Sequence, residues 1–235
     1  MTTSDEDRFR GLVSALEGSR GDAARSDFAT QLVTCDEGIV AAARAVAHGL
    51  AVLGPRFLSG DHTTARDAET VEASVHAVCR GVEQTAFVLL ARQAPVGSDL
   101  RRVVAVLRLV GDVDRAATLL RHVCSTELSP ADLPYDVAAD LASLVRAATR
   151  VFAAGVDAWA HHDGLAVTEV EPLDRDVDDL QQALLERACA AVVSSRDLVA
   201  LGLLGRYLER IADHGVAFAR DIAYVITGER AVLRR

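Results

Sequence analysis

LGLLGRYLERIADHGVAFARDIAYVITGE, residues 201–229, has the pattern of one long helix. Its large apolar residues recur at alternating intervals of three and four, as expected for a helix that packs along one side against other helices. They are Leu201, Leu204, Leu208, Ile211, Phe218, Ile222 and Val225. Gly215 takes the one position of this stripe without a large side chain, which predicts that another helix approaches closely there. Gly228 follows as a helix stop.

Two carboxylates lie off this stripe. Glu209 and Asp213 are four residues apart, so they share one face of the helix, with Cβ atoms about 5–6 Å apart. Because Arg206 and Arg210 lie beside them, the spacing alone is also compatible with an ordinary solvated face.

An earlier phrase repeats this pattern. Residues 110–123 read VGDVDRAATLLRHV. When Arg115 is aligned with Arg210, Asp114 takes the place of the glutamate and Thr118 takes the place of the aspartate. The sequence therefore predicts two copies of one structural unit.

The composition of the chain indicates an all-α protein. Half of its 235 residues are apolar but only 4% are aromatic, and the alternating runs and turn dipeptides of β-hairpins are missing. The formal net charge of −9 argues against nucleic acid as the main partner.

Neither the beginning of the chain nor its cysteines indicate a targeting segment, a membrane span or a cysteine-based site. Residues 1–20 are too polar for a signal peptide, and no uninterrupted apolar run approaches the roughly 18 residues of a membrane span. We therefore expect a cytoplasmic protein that meets a membrane only through partners. The four cysteines are scattered singly, as small buried side chains usually are.

Six helices follow from the apolar periodicity and the breaks. The predicted helices cover about 27–53, 61–93, 99–126, 135–161, 171–192 and 195–227. Ser98 is the expected N-cap of the third helix, and residues 129–134 form the clearest linker. Long helices with short connections pack as antiparallel bundles. The predicted organisation is two tandem three-helix bundles, divided as 1–26 (tail and short helical segment), 27–128, 129–229 and 230–235 (tail).

The second bundle has a candidate metal site. Asp174 and Asp178 lie four apart on the fifth helix, so pairing this helix with the sixth brings them toward Glu209 and Asp213. Four carboxylates at close range repel one another unless a cation lies among them. Such an oxygen-rich site suits Fe, Mn, Mg or Zn. His214 is expected on the flank of the helix and not among the ligands.

The first bundle has a weaker counterpart. Glu72 and His76 lie four apart on the second helix, opposite Asp114 on the third. Thr118 stands where the second bundle has an aspartate. Two carboxylates and one imidazole can bind a metal, but this site has lost one acid.

Several phrases together resemble the PhoU family. FVLLARQAPVGSDLR at residues 87–101 is similar to the family phrase llarqPvasDLR, and DVDR at residues 112–115 matches the D-[DE]-R helix that follows it. The second half carries LERIADH at residues 208–214 and YVITGE at residues 224–229. DRDVD at residues 174–178 resembles the family's D-xx-v-D phrase. The first repeat lacks the second acid of the family phrase, and in this respect the chain resembles the actinobacterial branch of the family.

The resemblance implies both a fold and a role. PhoU-like proteins have two similar three-helix bundles whose E/DxxxD pairs bind metal clusters. They are cytoplasmic negative regulators of phosphate signalling that connect the phosphate ABC transporter with a sensor histidine kinase. Asp99 and Arg101 are candidates for partner recognition, with a plain helix start as the alternative. Exposed helix faces favour a homodimer.

Two other functions fit the same acids. A cluster of this kind can hydrolyse phosphate esters with two metals, but no nucleophile, P-loop or Gly-rich phosphate cradle accompanies it. Alternatively the acids are solvated, and the chain is a helical adaptor in another pathway. The prediction is a non-enzymatic regulator, and metal analysis separates it from the plain adaptor.

Overall fold

Six long helices make up most of the chain. The computed structural model describes the backbone of residues 3–229 and the side chains of residues 25–229. The helices are α1 (Thr3–Leu58), α2 (Thr64–Gln93), α3 (Gly97–Ser125), α4 (Tyr135–Ala160), α5 (Val167–Ala190) and α6 (Ser195–Thr227), with a 3₁₀ turn at Pro130–Asp132. Residues 3–229 contain no β-strand, and the all-α prediction is confirmed.

The helices pack as two bundles with a shared core. α1, α2 and α3 form the first bundle, α4, α5 and α6 form the second, and the bundles meet where α3 packs on α6 and α1 packs on α4. The apolar stripe of α6 is buried as predicted, since Leu201, Leu204 and Ile211 have no exposed surface. The core runs continuously through both bundles.

Gly215 lies where α6 crosses α4 most closely. A Cβ atom at Gly155 would lie 1.9 Å from the Gly215 carbonyl oxygen, and a Cβ atom at Gly215 would lie 2.5 Å from Phe152 Cα. The rings of Phe152 and Trp159 each pack edge-on against Phe218, with centroids 6.3 and 6.4 Å apart. The close approach predicted at Gly215 is confirmed.

The first helix is longer than predicted at both ends. Its backbone is helical from Thr3, so it does not break at residues 18–21 or at the boundary predicted after residue 26. It also continues through Pro55, although proline removes one helical hydrogen bond. Phe57 is buried beyond the proline, and Gly54 packs against Val145 of α4. This packing outweighs the local preference for a helix stop.

Helix starts agree only in part with the capping signals. The hydroxyl of Ser194 accepts a hydrogen bond from Asp197 N at 3.1 Å and caps α6, which begins at the predicted residue 195. Helix α3 begins at Gly97 with Val96 as its N-cap, so the prediction for Ser98 is wrong. Helix α5 begins at Val167, earlier than predicted, because core packing before its internal proline extends the helix.

The segment Arg25–Leu58 is long and apolar enough to cross a membrane by length and composition. A core helix of a bundle passes the same test, and Ile39, Ala43 and Val46 of this segment are fully buried against neighbouring helices. Of the four free cysteines, Cys189 is exposed, against the general expectation of burial. The predicted tail at residues 230–235 lies outside the described residues, as do residues 1 and 2.

Candidate metal-binding site

The four acids predicted in the second bundle form one electrostatic cluster. Asp174 and Asp178 come from α5, and Glu209 and Asp213 come from α6, which packs against it. Burial, followed by the charges of Asp213 and Asp178, raises the pKa of Asp174 to about 6. Burial and the charge of Asp213 also raise the pKa of Asp178 and of Glu209. The structure thus brings together all four predicted residues.

Arginines border the cluster. Arg206 Nη1 lies 2.6 Å from Glu209 Oε2, and its charge opposes the rise in the pKa of that carboxyl. Arg220 donates two hydrogen bonds to Glu171 Oε1 at 3.0 and 2.9 Å, and its charge opposes the rise in the pKa of Asp174. Burial and carboxylate repulsion still prevail, because the pKa of both carboxyls stays above its ordinary value.

The donor set fits a hard cation. All four groups are carboxylates, and oxygen donors suit Mg²⁺, Mn²⁺ or Fe²⁺ better than they suit Zn²⁺, which prefers nitrogen and sulfur. Among the side chains of residues 25–229, no three His, Cys, Asp or Glu are already arranged around a metal position. A cation would therefore be held after rotation of these side chains, and metal binding at this cluster stays a prediction.

The equivalent acids of the first bundle have neighbouring groups within the chain. Glu72 Oε2 accepts a hydrogen bond from Arg121 Nε at 2.6 Å, and His76 Nε2 lies 3.3 Å from Asp114 Oδ1. The hydroxyl of Thr118 donates to the carbonyl oxygen of Asp114 on its own helix. Glu72 is paired with Arg121 as Glu209 is paired with Arg206, so the pairing alone does not separate the two sites. The first bundle differs in offering two carboxylates and one imidazole where the second offers four carboxylates, and metal binding here stays the weaker prediction.

This difference predicts that two substitutions open a cation site in the first bundle. In a chain whose second site is removed by Asp174→Asn and Asp213→Asn, we expect no Mn²⁺ binding. Adding Arg121→Gln and Thr118→Asp frees Glu72 and supplies the missing acid. Calorimetric titration is then expected to detect about one Mn²⁺ per chain.

Arg121→Gln alone is the matched control for that experiment. It is expected to lower the free energy of unfolding by about 2 kcal/mol, because it leaves a half-buried carboxylate without its charged hydrogen-bond donor. Mn²⁺ binding to the chain that carries only the two second-bundle substitutions, lost on Glu72→Gln, would contradict the closed first site.

The two candidate partner-binding residues have different surroundings. Arg101 donates from Nε and Nη2 to the carbonyl oxygen of Val225 at 3.2 and 3.0 Å. It thereby satisfies a carbonyl in the last turn of α6, a structural role between the bundles. Asp99 lies exposed in the first turn of α3, where a negative charge favours the helix N-terminus. Partner recognition by either residue stays a prediction.

His214 is not on the surface flank where the sequence placed it. The residue is 7% exposed, and its Nδ1 lies 3.1 Å from Asp112 Oδ1 on α3. The side chain points away from its neighbour Asp213 because consecutive helical residues are about 100° apart. His214 therefore belongs to the contact between the two bundles, and its partner is visible only in the fold.

Other polar residues at this contact were not singled out from the sequence. Arg108 Nη1 lies 3.5 Å from Asp221 Oδ1, yet burial raises the pKa of Asp221 to about 6. Arg102 forms an ion pair with buried Asp36, whose pKa is also raised by burial. The sequence did not indicate these pairs, because each joins a single acid and a single arginine on different helices.

Comparison with known proteins identifies the family. The PhoU domain model matches residues 56–126 and 141–222, one segment in each bundle. The phosphate-specific transport system accessory protein PhoU homolog 2 of Mycobacterium tuberculosis is 31% identical over 179 residues, which are 73% of this chain and 83% of that protein. PhoU homolog 1 of Mycobacterium leprae is 33% identical over 153 residues, covering 62% of this chain and 68% of the relative.

Solved structures show the same fold. The phosphate transport system regulatory protein PhoU from Streptococcus pneumoniae superposes with a TM-score of 0.79 at 19% identity, covering 88% of this chain and 100% of that one. PhoU from Pseudomonas aeruginosa gives a TM-score of 0.71 at 18% identity, covering 88% and 99%. Since the domain model matches both bundles along more than half of the sequence, the chain belongs to the PhoU family.

Proposed function

We propose that this protein is a negative regulator of phosphate uptake and of the phosphate-starvation response. In this role it acts in the cytoplasm as an adaptor between the phosphate ABC transporter ATPase and a sensor histidine kinase. The observation that carries the proposal is the family match in both bundles, with relatives named as accessory proteins of the phosphate-specific transport system.

The surface chemistry supports protein partners over the phosphate anion. The net charge of −9 repels an anion and favours basic patches on other proteins. Six long helices offer broad, rigid faces on which partner segments can lie. A regulator of this kind would sense phosphate through the state of the transporter.

The acid cluster gives the adaptor a place to hold a hard cation. Asp174, Asp178, Glu209 and Asp213 would hold it, and the cation would supply positive charge that relieves their repulsion. The proposed role is structural and electrostatic, and it assigns no catalytic step to these carboxylates.

Co-purification tests the adaptor role. Tagged full-length protein is expressed in its own host at ample phosphate, and bound proteins are identified by mass spectrometry. We expect the transporter ATPase and the histidine kinase to be enriched at least tenfold over a tag-only control. Deleting the gene should also switch on a phosphate-starvation reporter under the same conditions.

The alternatives give different results in that experiment. Enrichment of neither protein, together with a silent reporter in the deletion strain, would sink the proposal and favour an adaptor in another pathway. Hydrolysis of a generic phosphoester with Mn²⁺, lost on Asp213→Ala, would instead favour a metal-dependent hydrolase.

A further inference from the structure

Two arginines on the helices that join the bundles have no acidic partner within the described part of the chain. Arg115 on α3 and Arg210 on α6 are exposed, and neither forms an ion pair with residues 25–229. The seven other arginines of these two helices each contact a carboxylate or a carbonyl oxygen. Since the chain has 34 acidic and 25 basic residues, carboxylates are in excess. Two guanidiniums without a counter-ion, at equivalent positions of the two repeats, therefore point to a partner outside the chain.

Both arginines lie along the same line of contact between α3 and α6. His214 Nδ1 lies 3.1 Å from Asp112 Oδ1, and the rings of His122 and Tyr207 have centroids 5.3 Å apart. The arginine of α3 is three residues after Asp112 and seven before His122. The arginine of α6 is three residues after Tyr207 and four before His214. Residues at these spacings share one side of a helix, so both arginines lie between the same two contacts, on the sides of α3 and α6 that meet.

An apolar groove continues this line of contact toward the beginning of α6. Val199 is 64% exposed and Leu203 is 46% exposed, and they lie eleven and seven residues before Arg210, on the same side of the helix. Together with Tyr207 and His122 they line a groove of about 330 Å³. From Val199 to Arg210 the surface is about 17 Å long, which is three turns of a helix.

We propose that this surface binds an acidic amphipathic helix of another protein. The arginine groove, as we name it, consists of Arg115, Arg210, Val199, Leu203 and Tyr207. A helix of about three turns matches its length and lies in the depression between the two antiparallel helices. Two carboxylates of the bound helix pair with the guanidiniums, which hold a carboxylate in bidentate geometry. Its aliphatic side chains, about two turns further along, fill the apolar part.

The charge of the arginine groove selects this partner. The chain as a whole carries a net charge of −9, which repels nucleic acid and anionic membranes. A basic segment would bring its charges onto guanidiniums that already lack a counter-ion, and a purely apolar segment would leave them unpaired. An acidic segment with apolar side chains satisfies both parts of the surface. The inference goes beyond the proposed regulatory role and does not depend on it, because it names the chemistry of the bound segment and not the pathway.

Site-specific cross-linking identifies the occupant. The photoreactive residue p-benzoylphenylalanine replaces Leu203 in the full-length tagged protein, which is expressed in its own host and irradiated. Mass spectrometry then determines the peptide joined to position 203. We expect a segment of another protein that has a net negative charge and apolar residues at intervals of three and four. No cross-link above the unirradiated control, a cross-link to a basic segment, or one only to a second copy of this chain would overturn the inference.

Charge reversal tests the two arginines with a synthetic peptide copied from the cross-linked segment. By fluorescence anisotropy, Arg115→Glu with Arg210→Glu is expected to weaken binding at least tenfold. The matched control is Arg66→Glu with Arg80→Glu, which changes the net charge equally at two exposed arginines of α2, and it should bind within about twofold of the wild type. Arg115→Lys with Arg210→Lys should retain most of the affinity, because the charges remain. Circular dichroism checks folding, and equal weakening by both glutamate pairs would contradict a specific role for the arginine groove.

Discussion

Alanine at Gly215 is expected to lower the free energy of unfolding by about 3 kcal/mol, at the upper end of the usual cost of overpacking. Its Cβ atom would lie 2.5 Å from Phe152 Cα and 2.8 Å from the carbonyl oxygen of Val151. Backbone atoms cannot rotate away as a side chain can, so α4 and α6 must separate. Thermal unfolding should show a midpoint lower by about 6–12 °C for a chain of this size. Gly155→Ala should behave in the same way.

Gly202→Ala is the matched control on the same helix. The nearest atom to its Cβ would be Leu185 Cδ2 at 3.8 Å, an ordinary contact. We expect this variant to be as stable as the wild type or more stable by up to about 1 kcal/mol, because alanine favours the helix. A Gly215→Ala variant with the stability of the Gly202→Ala variant would show that the crossing is looser than described.

Neutralising the acid cluster is expected to stabilise the metal-free protein and to remove its response to divalent cations. Asp174→Asn with Asp213→Asn removes a carboxyl whose pKa is raised first by burial and then by the charges of Asp213 and Asp178. At pH 7.5 we expect a gain of about 1 kcal/mol in the free energy of unfolding, after a discount for solvent screening. Chemical denaturation in the presence of a chelator measures it.

The raised pKa of Asp174 gives the metal-free wild type a pH dependence of definite sign. The pKa of Asp174 is about 6 in the folded protein against an ordinary value of 3.8, so between these pH values the folded state binds more protons than the unfolded chain. The contribution of this group to stability therefore falls as the pH rises from about 4 to 6, and its full cost is present above pH 7. The double variant should lose the contribution of Asp174, whereas Asp178 and Glu209, whose pKa values burial also raises, remain.

Adding Mn²⁺ should reverse the order of stability. A ligand that binds only the folded state at 100 times its dissociation constant stabilises by about 2.7 kcal/mol, which we expect for the wild type and not for the double variant. Asp176→Asn is the control, since this aspartate lies on the same helix in an exposed pair with Arg150 at 3.8 Å. Equal stabilisation of the double variant by Mn²⁺ would contradict a site at the cluster.

Much of the fold follows from local sequence pattern. The apolar stripe of α6 predicted its buried face, and the gap at Gly215 predicted a close approach of another helix, because both depend on helical periodicity alone. The structure identifies that helix as α4. The i, i+4 acid pairs predicted that carboxylates of α5 and α6 lie near one another, in agreement with their mutual effect on the pKa of Asp174; metal binding there stays a prediction. Such predictions succeed because neighbouring antiparallel helices within one repeat bring matching positions together.

The features that the sequence pattern did not predict depend on contacts with residues far along the chain. Arg121 pairs with Glu72 on the neighbouring helix. The arginine lies within the repeated phrase that drew attention to Asp114, but its partner on α2 is visible only in the fold. His214 contacts Asp112 in the other bundle, so its burial depends on how the bundles pack. At Pro55 the packing of Phe57 outweighed a strong local stop signal. In each case a tertiary contact competes with the local pattern and prevails.

Counting bound metal per chain tests most directly whether the second bundle has a cation site and the first has none. The proteins are the wild type, the Asp174→Asn/Asp213→Asn variant and a Glu72→Gln/His76→Gln variant, each loaded with Mn²⁺, desalted and analysed for metal. We predict equal amounts in the wild type and the Glu72→Gln/His76→Gln variant, and none in the Asp174→Asn/Asp213→Asn variant. Metal that persists in the Asp174→Asn/Asp213→Asn variant, or a wild type that binds none, would contradict a cation site confined to the second bundle.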